Sequence, residues 1–512
     1  MTLLTTLVAT SQRIAATRSR TAKIAELAAC IRQLQPEEMA IGVAYLAGEV
    51  PQVKLGLGGA ALREVSTITA ATVSALSVLE VDAALEQIAQ CRGAGSAARR
   101  HQILQSLWSA ATAQEQQYLL HLVVGELRQG ALGGLMVEAL ASAAQLDLQV
   151  VRRAAMYAGS LGALAQAAIG GVAALAQLQL RVLEPVAPML AQTAADVDAA
   201  LAQLGGTAAF EWKVDGARVQ VHKSGNVVRV FTRSLNDVTA AVPEVVAAVA
   251  ALPVQQLVLD GETIVLDSAG RPRPFQITMR RFGRKLEVER LRAALPLHVY
   301  FFDCLLLADE SLVEQRAARR WHALEQAVPP ELRTPRLLTN EVTCARDFYA
   351  AALAAGHEGV MAKSLDAPYA AGNRGAGWLK IKRIHTLDLV VLAAEWGHGR
   401  RTGTLSNLHL GARDPHTGGH VMLGKTFKGL TDELLRWQTA ELLAREVRRD
   451  QWTVYVRPEL VVEIAFNDIQ ASPHYPGGLA LRFARVKQYR ADKSALEADT
   501  IDTIRTLHAA QS

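Results

Sequence analysis

Two lysines stand where their neighbours suggest nucleotide chemistry, and the two contexts differ. Lys213 lies in EWKVDGARVQVH (Glu211–His222), followed by Asp215, Gly216 and Arg218 in the string K-x-D-G-x-R. The other, Lys425, lies in GHVMLGKT (Gly419–Thr426), which matches the phosphate-loop pattern G-x-x-x-x-G-K-[ST]. A phosphate loop works because glycine-rich backbone cradles the anion and a helix opens at the lysine. Here the middle residues are His, Val, Met and Leu, they follow the turn-like DPHTGG, and Gly429 interrupts before the cap-like Thr431. The pattern predicts a hairpin strand at Lys425 and no phosphate site. Lys213 is the stronger candidate.

The elements that must position Lys213 follow from periodicity. Residues 1–185 carry apolar residues at three- and four-residue intervals, as in RTAKIAELAACIRQL and RRHQILQSLWSAATAQEQQYLLHLVVGEL, and read as an all-α domain. Pro185 and Pro188 mark a connector. From about residue 205 the period becomes two: FEWKVDGARVQVHK, a Ser224-Gly225-Asn226 turn, then VVRVFT, with QLVLDGETIVLD, LHVYFFDCLLL and EGVMAKSL as later strands. Helical stretches such as VTAAVPEVVAAVAAL lie between them, so residues 186–384 form an α+β domain. Residues 385–512 read as short strands with one helix, LTDELLRWQTAELLAREV, which predicts a small barrel of the OB type.

Companion motifs extend the Lys213 string. In order they are FTRSLNDVT (Phe231–Thr239), LDGETIV (Leu259–Val265), VYFFDCLLL (Val299–Leu307), EGVMAKS (Glu358–Ser364), WLKIKR (Trp378–Arg383) and LRFARVKQYRADK (Leu481–Lys493). In order and spacing the chain resembles the covalent nucleotidyltransferases, most closely the ATP-dependent DNA ligases of the archaeal and eukaryotic replicative kind. RRFGRK (Arg280–Lys285), GKTFKGLTDELL (Gly424–Leu435) and VVEIAFNDIQASPHY (Val461–Tyr475) carry the same resemblance. It covers roughly residues 180–495, with a weaker match in Gly125–Ala141.

The resemblance implies a reaction and a role for each residue. Lys213 would attack the α-phosphate of ATP to form lysyl-AMP, AMP would pass to the 5′-phosphate of a nick, and the 3′-hydroxyl would displace it. Attack needs an unprotonated amine, and burial with cationic neighbours is expected to lower the lysine pKa. Lys380 and Lys382, two apart on one strand, would supply that field and stabilise the α-phosphate. Glu262 and Glu358 would hold Mg²⁺, which takes one or two carboxylates and fills its shell with water and phosphate oxygens. Glu211 would accept a hydrogen bond from the adenine 6-amino group, and Phe302 would stack on the base. Arg218 and Arg233 would hold ribose and phosphates, and Arg374 the phosphates. Arg490 and Lys493 would act on pyrophosphate when the OB domain closes over ATP. The partner implied is nicked double-stranded DNA, enclosed by a monomer.

Composition bounds the rest. The chain has 512 residues, 50% hydrophobic and 20% charged, with a formal net charge of +5, which permits a polyanionic partner without specifying one. Four dispersed cysteines without C-x-x-C suggest neither a disulfide framework nor a zinc module, and fit a reducing cytoplasm, on the nucleoid in a bacterium. MTLLTTLVAT lacks the basic start of a cleavable signal. Ala154–Leu180 has no charged residue and the length of a membrane span, yet Gly159, Gly162, Gly170 and Gly171 break it, predicting short packed helices and no membrane partner. Neither the NMN-binding domain nor the four-cysteine zinc module of NAD-dependent ligases is visible. An RNA ligase or another lysyl-NMP nucleotidyltransferase stays open as an alternative.

Overall fold

The computed structural model describes residues 1–52, 55–127, 129, 133–282, 288–372, 374–383, 385–398 and 401–511. It comprises two compact units: Met1–Met189 with Ala370–Asn373, and Leu190–Tyr369 with Arg374–Ser512.

The first unit is built of helices. Ser77 and Thr112 open the helices Val78–Gln90 and Ala113–Val124 with capping boxes, each satisfying helix N–H groups through a reciprocal glutamate three residues on. Leu7, Leu85, Leu104, Trp108, Leu119 and Leu140 meet in one core. The charge-free stretch is broken as its glycines predict. It contains the helices Leu161–Ile169 and Gly171–Ala176, and their Leu164, Ala168 and Leu175 join the same core. Among the described residues no helix is long and apolar enough to cross a membrane.

The second unit begins with ten strands: β1 (Leu190–Thr193), β2 (Ala208–Trp212), β3 (Ala217–Ser224), β4 (Val227–Thr232), β5 (Gln256–Val265), β6 (Leu297–Leu307), β7 (Glu310–Ser311), β8 (Arg336–Thr339), β9 (Gly359–Lys363) and β10 (Arg374–Lys382). They form two five-stranded sheets, ordered β1-β10-β9-β2-β8 and β4-β3-β5-β6-β7. One face of the first sheet buries Phe210, Val360, Ala362, Leu379 and Ile381 together with Ala345 and Ala352 of the helix Val342–Ala354. The second buries Val219, Val221, Leu259 and Phe301 with Val245 and Val249 of the helix Pro243–Ala250. Strand alternation then turns the intervening residues to the opposite faces. These include Glu211, Lys363, Lys380 and Lys382 from the first sheet, and Arg218, Glu262 and Phe302 from the second.

The remaining strands are β11 (His385–Trp396), β12 (Leu405–Arg413), β13 (His420–Thr426), β14 (Glu446–Arg449), β15 (Thr453–Val456), β16 (Val461–Phe466), β17 (Asp468–Ala471), β18 (Leu479–Arg482) and β19 (Arg485–Tyr489). The long β11 pairs β16 over its first half, and β12 and β15 over its second, so one strand turns through the barrel-like sheet. Strands β17 and β18 form a separate hairpin. Lys425 lies within β13, and the next helix starts only at Asp432, capped by Thr431. The phosphate-loop pattern is a strand.

Candidate active site

Lys213 follows β2 and is clipped by backbone. Its N–H donates to the Gly359 carbonyl at 2.8 Å, and the Glu358 N–H donates to the Lys213 carbonyl at 3.2 Å. Two glycines beside this clip let neighbouring strands approach closely. At Gly359 (φ +145°) a Cβ would stand 2.2 Å from the Ile381 carbonyl oxygen, and at Gly216 it would stand 2.1 Å from that of Thr263. The glycine of K-x-D-G-x-R is therefore a contact requirement.

The Lys213 ammonium is ion-paired with Glu358 Oε2, and Lys382 is paired with Oε1 of the same carboxylate. This arrangement corrects the expectation of a depressed lysine pKa. Burial pulls the Lys213 pKa down, but Glu358, Glu262 and Asp215 outweigh it and hold the amine above its ordinary value. Lys382 does not compensate, because the same carboxylate neutralises it. Glu358 is penalised by burial, yet Lys213 and Lys382 bring its pKa below the usual carboxylate range. Burial pushes Glu262 the other way, up to about 7, against the pull of Lys213 and Arg218.

Among the described residues no group of three or more His, Cys, Asp or Glu side chains is arranged to hold a metal alone. Two carboxylates beside a phosphate site nevertheless suit Mg²⁺, whose remaining ligands are water and phosphate oxygens. Glu262 and Glu358 have that donor chemistry.

A cavity of about 670 Å³ lies between the two sheet faces. Glu211, Lys213, Arg218, Arg233, Glu262, Phe302, Lys380 and Lys382 all line it. Phe302 turns into the cavity while its neighbour Phe301 is fully buried, so the apolar VYFFDCLLL stretch splits between core and site. Arg218 forms a forked pair with Asp260, at 3.0 Å from Nε and 2.7 Å from Nη2, and Tyr369 donates to the same carboxylate at 2.6 Å. Its guanidinium lies 5.5 Å from the Phe302 ring centre. Arg233 is exposed at the cavity wall.

Two predicted residues are not brought there. Among the described residues, none of 385–512 lines the cavity. Arg490 is instead held by Asp388 at 3.0 Å and Asp492 at 2.6 Å, and Lys493 by Asp388 at 2.6 Å. The expected nucleotide contacts of Arg490 and Lys493 are thus not made in this conformation, because Asp388 at the start of β11 takes up both cations. For Arg374 the backbone opens β10, and its side chain lies outside the described residues. Lys425 pairs with Glu395, which also holds His409 at 3.0 Å, away from the cavity.

Several site residues escaped the sequence reading. Asp260 and Lys363 stand two positions from Glu262 and Met361, so period-two counting would have put each on the cavity face. Arg336 is reached only through pairing, since β2 and β8 set it opposite Glu211. Arg482 of the β17–β18 hairpin lies 4.9 Å from the Phe275 ring, and its charge acts on Asp215. No local pattern announces it.

The chain is similar to known proteins along its whole length. A family model described as "ATP dependent DNA ligase domain" matches residues 188–382, "ATP dependent DNA ligase C terminal region" matches 401–493, and "DNA ligase N terminus" matches 62–141. A "Probable DNA ligase" of Anaeromyxobacter dehalogenans (strain 2CP-1 / ATCC BAA-258) is 58% identical over 512 residues, covering 99% of each chain. One from Mycolicibacterium gilvum (strain PYR-GCK) is 54% identical, again covering 99% of each. The solved structure Pmar-Lig_PreS3 shares the fold at a TM-score of 0.62 and 17% identity, covering 94% of this chain and 99% of its own.

Proposed function

The chain belongs to the ATP-dependent DNA ligases, and from that membership we propose how its own residues carry the reaction. It is an enzyme that joins DNA using ATP. Lys213 attacks the α-phosphorus of ATP: a phosphorus–nitrogen bond forms, a phosphorus–oxygen bond breaks, and pyrophosphate leaves. AMP then passes to the 5′-phosphate of a nick, and the 3′-hydroxyl displaces it.

Before attack the Lys213 ammonium must lose a proton, and Glu358, which pairs with it, gates that loss. Lys380, Lys382, Arg233 and Arg374 hold the phosphate end, where negative charge moves in the transition state. Arg218 serves the ribose, Phe302 the base face, and Glu211 the base edge. Glu262 and Glu358 would hold Mg²⁺, which would supply charge neutralisation at the phosphates.

The three parts of the chain divide the work at 1–185, 186–384 and 385–512. As a monomer, the chain encloses the nicked duplex with its helical and OB parts, acting on DNA in the cytoplasm, on the nucleoid in a bacterium. In the OB part Arg490 and Lys493 leave Asp388 to meet pyrophosphate in the first step and are held again afterwards.

The observation that carries this reading is Lys213 sharing one half-buried carboxylate with Lys382 at the wall of a cavity that also holds Glu211 and Phe302. The test is incubation with labelled ATP, then with nicked duplex at varied salt. Label should pass from protein to DNA and then to free AMP as the strand closes, and binding should weaken as salt rises. Label that never leaves the protein for DNA would exclude the reading.

A further inference from the structure

Glu211 is only 1% exposed, yet it lines the cavity, and both of its oxygens already face cations. Arg336 approaches Oε1 with Nε at 2.8 Å and Nη2 at 2.7 Å, and its Nη2 also donates to the Phe302 carbonyl at 3.3 Å. The guanidinium is fixed from the other side by the Trp321 ring, 4.4 Å away. Lys363, itself 1% exposed, pairs with Oε2. Its ammonium stands 4.5 Å from the Phe302 ring centre and 4.4 Å from that of Trp378, which hold it by cation–π attraction.

We propose that Arg336 and Lys363 form a two-cation clamp that fixes Glu211 as an acceptor only, and so set the preference for a purine bearing a 6-amino group over one bearing a 6-oxo group. The inference rests on the reading of Glu211 as the residue facing that edge of the base.

The chemistry is a matter of who donates. A carboxylate accepts through roughly four lone-pair positions, and a carboxylic acid also donates. Buried without partners, a carboxyl group takes up a proton and would offer it to a 6-oxo oxygen. Here the two cations keep the charged form. They occupy Oε1 through both Arg336 nitrogens and Oε2 through Lys363 alone, which leaves Oε2 with acceptor capacity for the base. A 6-amino N–H then finds an acceptor, whereas a 6-oxo group meets a negative charge. Burial draws the Lys363 pKa down and Glu211 draws it back up, so the pair is mutually dependent. Lys363 lines the cavity and Arg336 does not, so Arg336 acts through Glu211 as a positioning residue. The same clamp ties Glu211 to Phe302 through the carbonyl contact, which registers base edge against base face.

The test measures self-adenylation of the full-length protein with ATP and with inosine triphosphate, whose base carries a 6-oxo group. Arg336→Met and Lys363→Met are each expected to raise KM for ATP by about 10-fold or more, the scale of one charged hydrogen bond. Inosine triphosphate should lose less, so the ATP preference should narrow by a similar factor. Both variants should keep the wild-type far-ultraviolet circular dichroism and a cooperative melt, which a general folding defect would not allow. If Arg336→Met fails that control, Arg336→Gln keeps a hydrogen bond without the charge and should narrow the preference in the same way. Glu211→Gln separates the two levels. An unchanged preference in Glu211→Gln overturns the reading of Glu211 itself. A preference lost in Glu211→Gln but intact in the folded Arg336 and Lys363 variants overturns the clamp alone.

Discussion

Lys213 and Lys382 share one carboxylate, that of Glu358, with one lysine on each oxygen. The Lys213 amine is therefore held as a cation until that pairing is relieved. In the nucleotide-free protein, Lys213 should react slowly with an amine-acylating reagent near neutral pH. Glu358→Gln removes the largest opposing charge, so Lys213 should titrate at lower pH and label faster. Peptide mapping of the label against pH checks this. Equal labelling profiles would mean Glu358 does not control the amine.

Glu262 gives a second pH signature. Its folded pKa, about 7, lies above the unfolded value near 4.5, so the native state binds more protons between them. Stability from this group is thus lost as pH rises from 4.5 through 7, by up to about 3 kcal/mol. Nucleotide-free Glu262→Gln should melt above wild type at pH 8, with the advantage fading toward pH 4.5. Thermal scans at both ends decide it, and a variant less stable at pH 8 would contradict the burial argument.

Asp388 makes a separate prediction. It holds Arg490 and Lys493, which the sequence reading assigned to the nucleotide. Arg490→Ala and Lys493→Ala should lose self-adenylation while still sealing a pre-adenylated nick without ATP. If both substrates fail equally, the two cations serve DNA binding or folding.

The extent to which this site was legible follows from periodicity. A period of two put Lys380 and Lys382 on one side of β10, and both line the cavity. The same counting rejected the phosphate loop, because a strand cannot present an N-terminal helix turn to an anion. Ion pairing was not legible. Charge sharing at Glu358, the cation clamp on Glu211 and the hold of Asp388 on residues more than a hundred positions away all depend on which strands neighbour one another. Lys213 was read as a depressed amine because its cationic neighbours could be counted in the sequence and their partners could not.

Lys425 should be dispensable for the first step. It pairs with Glu395 in the OB sheet, and Glu395 is held at a pKa of about 2: burial opposes ionisation, but Lys425, His409 and Asn407 outweigh it. Lys425→Ala should form enzyme-AMP at close to the wild-type rate, read by gel after labelled ATP. Complete loss in a folded variant would restore a phosphate role.

The central claim is that a single amine, Lys213, becomes the AMP carrier. Its most direct test is mass-spectrometric mapping of the adenylated protein, run beside Lys213→Ala with labelled ATP and Mg²⁺. The account predicts AMP on the peptide containing Lys213 and no label on the variant, which should still close a pre-adenylated nick because the amine has then finished its work. AMP mapped to another residue, or wild-type labelling of Lys213→Ala, would contradict it.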